Sequence, residues 1–270
     1  MQAFGLKNVG AMCHFNSLIQ GLISCPYFVK TITEECESDI SKTISDFLRN
    51  CKNTDVKIFT VSPILKHITD NHPTFGHRQE DVSEGFDIII DKIGTSIESI
   101  FTSKWNIHVY CDSCKNIVST SMDKMNRLIM EESYNPLYEN DMSFQEYMSA
   151  NMSEFNDYKC GMCNRSNVNG MKVAQLIEPP KIYVVSFNKF NKKWTVKYPE
   201  VVYVKYGVDG ENIAKYALVT VIRHFGNRGS GHYNATVVRS NGVYIVDDSI
   251  FNISKFKPSD NDYMVIFVRI

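Results

Sequence analysis

In the first third of the chain, apolar residues recur at spacings of three and four, the period of an amphipathic helix. Phe15, Leu18, Ile19, Leu22 and Ile23 predict a helix that opens at Cys13, after a short loop bracketed by Gly5 and Gly10, and is stopped by Pro26. Ile40, Ile44, Phe47 and Leu48 predict another. Ile64, Leu65 and Ile68 predict a third, begun near Ser62-Pro63, where a proline in the first turn sacrifices no helical bond. Val82, Phe86, Ile89, Ile90 and Ile93 predict a strong fourth helix behind Asp81. From Trp105 the texture changes to alternating strands. Prolines 179 and 180 lead into an apolar strand, and further strands are predicted at Tyr216–Ile222, Tyr233–Val238, Val243–Asp247 and Tyr263–Ile270. Glycines at 226, 229 and 231 predict a flexible loop ahead of Tyr233. There are no internal repeats and no low-complexity linkers.

Composition narrows the class of protein. The 270 residues allow one large domain or two small ones, and 43% hydrophobic with 22% charged residues is ordinary for a globular chain with a substantial core. A formal net charge of −1 gives no global argument for nucleic acid or an anionic membrane. No apolar run approaches the roughly 18 residues of a membrane span, and the N-terminus does not read as a signal peptide. Without an export signal, the eight cysteines are expected to be reduced. The expected setting is cytosol or nucleus.

Chemistry enters at Cys13. At a helix N-terminus the dipole and unpaired N–H groups favour thiolate over thiol, and the Asn8 amide can reach the same point. A nucleophile beside an amide donor and free backbone N–H groups is the set of parts that acyl transfer needs; the bland alternative is a buried small hydrophobe. Cys111-x-x-Cys114 and Cys160-x-x-Cys163 form two knuckles, and four thiolates on two turns suit a tetrahedral structural Zn²⁺. A redox pair or disulfides compete with that reading. The wide separation of the knuckles predicts a metal clipping the tips of a long β excursion. Asp112, Asp123, Glu131 and Glu132 balance the nearby basic residues, against a nucleic-acid role. Cys25, Cys36 and Cys51 show no ligand spacing and read as packing or surface residues. His232 precedes a predicted strand, and Asp247-Asp248 ends a later strand. Asp81 and Glu84 stand at the N-cap and N3 positions of a capping arrangement.

The stretch Gly5-Leu-x-Asn8-x-Gly10-x-x-Cys13-x-x-Asn16-Ser17-x-x-Gln20 resembles the cysteine box of the ubiquitin-specific proteases, with Met12 in place of the usual threonine and His14 in place of the usual aromatic. Gln79-Glu-Asp81-Val-Ser-Glu84-Gly-Phe86 is similar to that family's Gln-Gln/His-Asp-x-x-Glu-Phe motif, with a glycine inserted. Glu178 to Phe190 is similar to its Pro-Pro-led strand, with Lys189 at an arginine position, and Asn191 to Val196 is shorter than the usual loop. Gly231-His232-Tyr233 matches its histidine box, with His224 upstream as a structural residue. The resemblance runs from Gly5 to the last residue, so no appended domain is expected.

That resemblance implies an α+β papain-like cysteine protease fold with a helical thumb, a β palm and zinc-clipped β fingers. A single catalytic domain of residues 1–270 would divide near 1–104, 105–175 and 176–270. It implies a deubiquitinase in which Cys13 is the nucleophile, His232 the base, Asp247 its orienting acid, Asp248 a nearby support and Asn8 an oxyanion donor. Gln79, Asp81, Glu84 and Tyr233 would line the path of the ubiquitin tail, and for Asp81 and Glu84 that role stands beside the capping one. Cys111, Cys114, Cys160 and Cys163 would hold structural zinc. The expected partner is ubiquitin or a ubiquitinated protein, met by a monomer that binds neither nucleic acid nor membrane. A protease for a ubiquitin-like modifier and a catalytically inactive ubiquitin-binding module are the alternatives.

Overall fold

The structure, a computed structural model, describes residues 1–52, 56–70, 75, 80–131, 143–189, 194–227 and 230–270. The first part is helical: β1 (Gly5–Leu6), α1 (Cys13–Leu22), α2 (Pro26–Glu34), α3 (Asp39–Lys52), β2 (Ile58–Phe59), α4 (Ser62–Thr69), α5 (Val82–Ile93) and α6 (Thr95–Ser99). Strands follow: β3 (Ser103–Cys111), β4 (Ile117–Met125), β5 (Leu128–Met130), a short α7 (Phe144–Tyr147), β6 (Ala150–Tyr158) and β7 (Val168–Glu178). The chain closes with β8 (Ile182–Phe187), β9 (Val201–Tyr206), β10 (Asn212–Asn227), β11 (Ser230–Arg239), β12 (Gly242–Asp247), β13 (Ile250–Ile253) and β14 (Asp262–Arg269). No described helix is long and apolar enough to cross a membrane.

The expected three-part α+β architecture is present. Its centre is an eight-stranded sheet in the order β13-β12-β11-β10-β14-β8-β5, with β9 beside β10. Strand alternation sends successive side chains to opposite faces, which explains why β8 and β14 are apolar almost without a break. Ile182, Val184, Met264, Ile266 and Val268 join the core shared with the helices. Tyr183, Val185, Phe187, Val265 and Phe267 join a second core containing Trp105, Phe144 and Trp194. Both faces of the sheet are therefore covered at β8 and β14.

Helix α1 runs between sheet and helices, and every residue in it is buried. The predicted apolar stripe is there, but no polar face meets water. Gly21 allows the close approach, since a Cβ there would sit 3.0 Å from Thr220 Cγ2 and 3.3 Å from Ile266 Cδ1. Gln20 donates to the Phe4 carbonyl at 2.8 Å and accepts from the guanidinium of Arg239. Buried polar groups need such partners, because an unmatched one loses about 1–3 kcal/mol. Pro26, read from sequence as a stop, also starts α2 in its first turn.

The glycine-rich stretch before Tyr233 departs from expectation. Strands β10 and β11 stay paired out to Asn227 and Ser230, so Gly226 and Gly231 are ladder residues facing each other and not loop residues. Gly229 lies outside the described residues. A Cβ on Gly231 would strike the His224 ring, and one on Gly226 would strike the Ser230 carbonyl. Gly226 also has φ +131°. The two ladder glycines serve close approach of two strands, a requirement that composition does not distinguish from flexibility.

The smaller sheet has the order β4-β3-β7-β6, two hairpins side by side. Its root enters the second core through Trp105 and Ile107. Its far end brings the β3–β4 and β6–β7 turns together. Strand β5 and helix α7 leave this excursion, and β5 pairs in parallel with β8 of the large sheet.

Candidate active site

Cys13 is the first residue of α1, behind a loop tied down at several points. The Asn8 side-chain oxygen accepts the Met12 N–H at 3.1 Å. The Leu6 N–H donates to the Asp248 carbonyl at 2.8 Å, and Gly5 runs so near Ser249 that a Cβ would collide with its backbone. Asp248 sits in the turn after β12 with φ +49°, a conformation that Asp tolerates better than most residues. Its carboxylate accepts from Asn8 Nδ2 at 2.8 Å and from Asn16 Nδ2 at 2.7 Å.

His232 lies on β11 and Asp247 at the end of the neighbouring β12. His232 Nε2 meets Asp247 Oδ1 at 2.5 Å, with each side chain 41% exposed. Candidate donor atoms of His232, Asp247 and Asp248 all lie within 4.8 Å of one another. Bonding through Nε2 leaves Nδ1 as the nitrogen able to take a proton.

The sulfur is less acidic than its helix position predicts. Cys13 is only 4% exposed, and burial pushes its thiol up from the ordinary value. The N–H groups of Tyr233, His14 and Cys13 itself pull the other way, and the Asp248 carboxylate adds to the rise. Desolvation thus outweighs the helix terminus. Among the described residues no hydrogen bond joins Cys13 to His232, and burial favours the neutral thiol over the thiolate.

His14 turns into the core. Its ring is fully buried, edge-on to Phe75 at 5.3 Å and 6.5 Å from the Tyr233 ring. Burial lowers it to about 4, partly offset by the Ala11 backbone and the Asp81 carboxylate, so the imidazole is neutral at pH 7. Neither ring nitrogen has a partner in full hydrogen-bonding geometry among the described residues.

Asp81 caps α5. One carboxylate oxygen accepts the Ser83 N–H at 2.7 Å and the other accepts the Tyr263 hydroxyl at 2.5 Å. Glu84 is exposed in the first turn of the same helix. Tyr233 is 4% exposed, with its hydroxyl directed at the Val82 N–H. Gln79 lies outside the described residues, as do 190–193 of the short segment before Trp194. Lys189 lies over the Phe187 and Trp194 rings at 5.4 and 5.3 Å and donates to the Asp260 carbonyl.

The far end of the small sheet gathers Cys111, Cys114, Cys160 and Cys163, with all four sulfurs within 4.8 Å of one another. All are free thiols, which removes the disulfide alternative. The Cys114–Cys160 separation of 3.9 Å is near the edge of about 3.8 Å that a tetrahedron of sulfurs 2.3 Å from zinc would have. Each turn is closed alike, by Lys115 N–H on the Cys111 carbonyl and Asn164 N–H on the Cys160 carbonyl. The Cys163 N–H leads the groups that pull the Cys160 thiol down to about 7, whereas Cys114 is raised, the Asn116 N–H being outweighed by desolvation and the neighbouring sulfurs. The donor set fits one tetrahedral, thiolate-bound ion with no open position.

Comparison with known proteins agrees with this geometry. The family described as ubiquitin carboxyl-terminal hydrolase matches residues 4–267. The chain belongs to that family. It is therefore a cysteine-type ubiquitinyl hydrolase. Ubiquitin carboxyl-terminal hydrolase 8 of Saccharomyces cerevisiae is 22% identical over 334 residues, which cover 98% of this chain and 70% of that protein. Ubiquitin carboxyl-terminal hydrolase 36 of Drosophila pseudoobscura pseudoobscura is 25% identical over 294 residues, covering 91% and 27%. Among solved structures, the SAGA Ubp8/Sgf11/Sus1/Sgf73 DUB module bound to ubiquitin aldehyde superposes with a TM-score of 0.76 at 19% identity, over 99% of this chain and 69% of that one. The yeast SAGA DUB module with a mutant Sgf73 gives 0.77 at 16% identity, over 99% and 68%. At such identities the structural likeness speaks for the fold.

Two residues of the hydrolase's site carry no role in the sequence reading. Asn16 stands in the cysteine box, and its spacing of three from Cys13 puts both on one side of α1; that spacing was the available signal. Tyr263, the second residue of β14, holds Asp81, and nothing local marks it.

Proposed function

We propose that this hydrolase cleaves the peptide or isopeptide bond after the C-terminal glycine of ubiquitin, with Cys13 as nucleophile, His232 as general base and acid, and Asp247 as its orienting partner. The observation that carries this reading is the His232 Nε2–Asp247 Oδ1 bond beside the α1 terminus. A proton held on Nε2 against Asp247 leaves a lone pair on Nδ1. As substrate seats, Nδ1 takes the Cys13 proton and the sulfur attacks the glycine carbonyl carbon. The oxyanion is met by the second N–H of the Asn8 amide and by backbone N–H groups at the start of α1. His232 then protonates the departing amine as the C–N bond breaks and a thioester forms. Water, deprotonated by Nδ1, attacks the thioester, and the collapsing intermediate expels the Cys13 thiolate, which recovers its proton.

On the substrate side, Asp81 and Glu84 would align the arginine-bearing tail of ubiquitin beside Tyr233, with Gln79 on the adjoining segment. Zinc held by Cys111, Cys114, Cys160 and Cys163 would cross-link the two hairpin tips and stabilise the surface they present, with no part in bond cleavage. We further propose a monomer working in the cytosol or nucleus, where thiols stay reduced, without nucleic acid or membrane.

The test is a panel of ubiquitin and ubiquitin-like proteins carrying C-terminal electrophiles, with Cys13→Ser as control. Labelling by the ubiquitin probe, lost in Cys13→Ser, is expected. Preferential labelling by a ubiquitin-like probe would reassign the modifier. Tight ubiquitin binding without labelling would mark an inactive binding module.

A further inference from the structure

The family resemblance makes the second acid of the Asp247-Asp248 pair a nearby polar support, and its carboxylate does lie within 4.8 Å of a candidate His232 donor atom. Its hydrogen bonds run elsewhere. One oxygen accepts the Asn8 amide at 2.8 Å and the other accepts the Asn16 amide at 2.7 Å, while His232 bonds to Asp247. The Asp248 carbonyl accepts the Leu6 N–H at 2.8 Å, so backbone and side chain both hold the loop that carries Asn8. Asn16 is 2% exposed, and its amide also reaches the Lys7 carbonyl at 3.3 Å. The Asn8 amide is thereby fixed at both ends, its oxygen on the Met12 N–H and one N–H on Asp248. Only the remaining N–H is left for substrate. For Cys13 itself the same carboxylate is unfavourable, since a negative charge beside the thiol opposes thiolate formation. A group that burdens the nucleophile and binds both amides has its use in placing an amide.

We propose that Asp248 is a positioning residue of the oxyanion site, acting on the reaction through Asn8, with Asn16 as the second arm of the clamp, and not through His232. The proposal rests on the reading of Asn8 as an oxyanion donor. A charge-assisted bond to a carboxylate locks an exposed amide that otherwise rotates freely in water. A preorganised donor contributes far more than a mobile one. Asparagine at 248 has one acceptor oxygen and could satisfy only one of the two amides.

The test is a double-mutant cycle on ubiquitin bearing a C-terminal fluorogenic amide, with alkylation of Cys13 by iodoacetamide measured alongside. Alkylation forms a C–S bond and expels iodide without building an oxyanion, so it reports thiol access and acidity alone. Asn8→Ala is expected to lower kcat roughly 10²-fold. Asp248→Asn is expected to lower kcat at least about tenfold with KM little changed, while alkylation is as fast as in the parent or faster. The double variant should turn over within about threefold of Asn8→Ala, because the second change removes the support of a group already gone. Losses that multiply in the double variant would overturn the proposal and place Asp248 on His232. An Asp248→Asn enzyme of parental kcat, or one whose alkylation falls in step with kcat, would overturn it too. Unimpaired turnover of the Asn8→Ala single variant would remove the oxyanion reading itself and the clamp with it, a failure visible before the cycle is closed. If Asp248→Asn does not fold, Asn16→Ala takes its place in the cycle, with the same non-additivity expected and additivity again refuting.

Discussion

Asp81→Asn separates two functions that the structure lets one carboxylate perform. As a cap, Asp81 accepts the Ser83 N–H at 2.7 Å and the Tyr263 hydroxyl at 2.5 Å. Asparagine keeps an oxygen for Ser83, and Asn and Asp cap about equally well. On the other side, the new amide can donate to the Tyr263 oxygen, reversing that bond without breaking it. What is lost is the negative charge at the start of α5, about 0.3–1 kcal/mol, so Tm should fall by no more than about 4 °C in a chain of this size. As a substrate contact, the same carboxylate has capacity to spare. An ionised carboxylate offers about four acceptor sites, and Ser83 and Tyr263 take two. A charge-assisted bond from a tail arginine contributes roughly 1.5–3 kcal/mol, so its loss lowers kcat/KM by roughly 10- to 150-fold. Steady-state hydrolysis of fluorogenic ubiquitin at low substrate, run beside a thermal melt, reads both quantities. Discrimination against a ubiquitin with neutralised tail arginines should shrink in the variant. If Asp81→Asn cleaves within about threefold of the parent, the carboxylate is a helix cap only and the substrate role is withdrawn.

Four further outcomes are expected. Protein purified without added metal should carry close to one zinc per chain by elemental analysis, and folded, active protein free of metal would refute the four-cysteine site. Cys13→Ala should abolish cleavage while ubiquitin binding, measured by calorimetry, changes little; residual turnover would move the nucleophile elsewhere. Because burial raises Cys13, the pH profile of its alkylation in the free enzyme should have its midpoint above that of an ordinary cysteine, and a midpoint below about 8 would contradict the neutral resting thiol. His14 falls from 6.5 to about 4 on folding, so between those values the unfolded chain binds the extra proton and stability drops as pH falls. His14→Phe should reduce the stability difference between pH 7 and pH 4.5 by about 2–3 kcal/mol in urea unfolding, and parallel curves for the two proteins would refute the buried neutral ring.

Much of this protein is legible in its sequence, because the relevant signals are local. The three- and four-residue spacing of Phe15, Leu18, Ile19 and Leu22 defines a helix wherever it packs, and Asp81 before Val82 marks a cap from its own neighbours. The two C-x-x-C turns shape themselves, so the four-thiol cluster follows once their strands align. Other features depend on which distant segments meet. Asn8 and Asp248 are 240 positions apart and Asn16 and Asp248 are 232, so their pairing is decided only when the turn after β12 closes on the loop before α1. Tyr263 reaches Asp81 across 182 positions in the same way. The amphipathic pattern of α1 hid its complete burial, since a polar residue on a helix looks alike whether it faces water or a buried guanidinium. The glycines at 226 and 231 signalled permissive backbone, and only the β10–β11 ladder showed that they admit a close approach. Cys13 is the clearest case: the sequence placed it at a helix terminus that favours the thiolate, and tertiary packing then removed the water that would stabilise that charge.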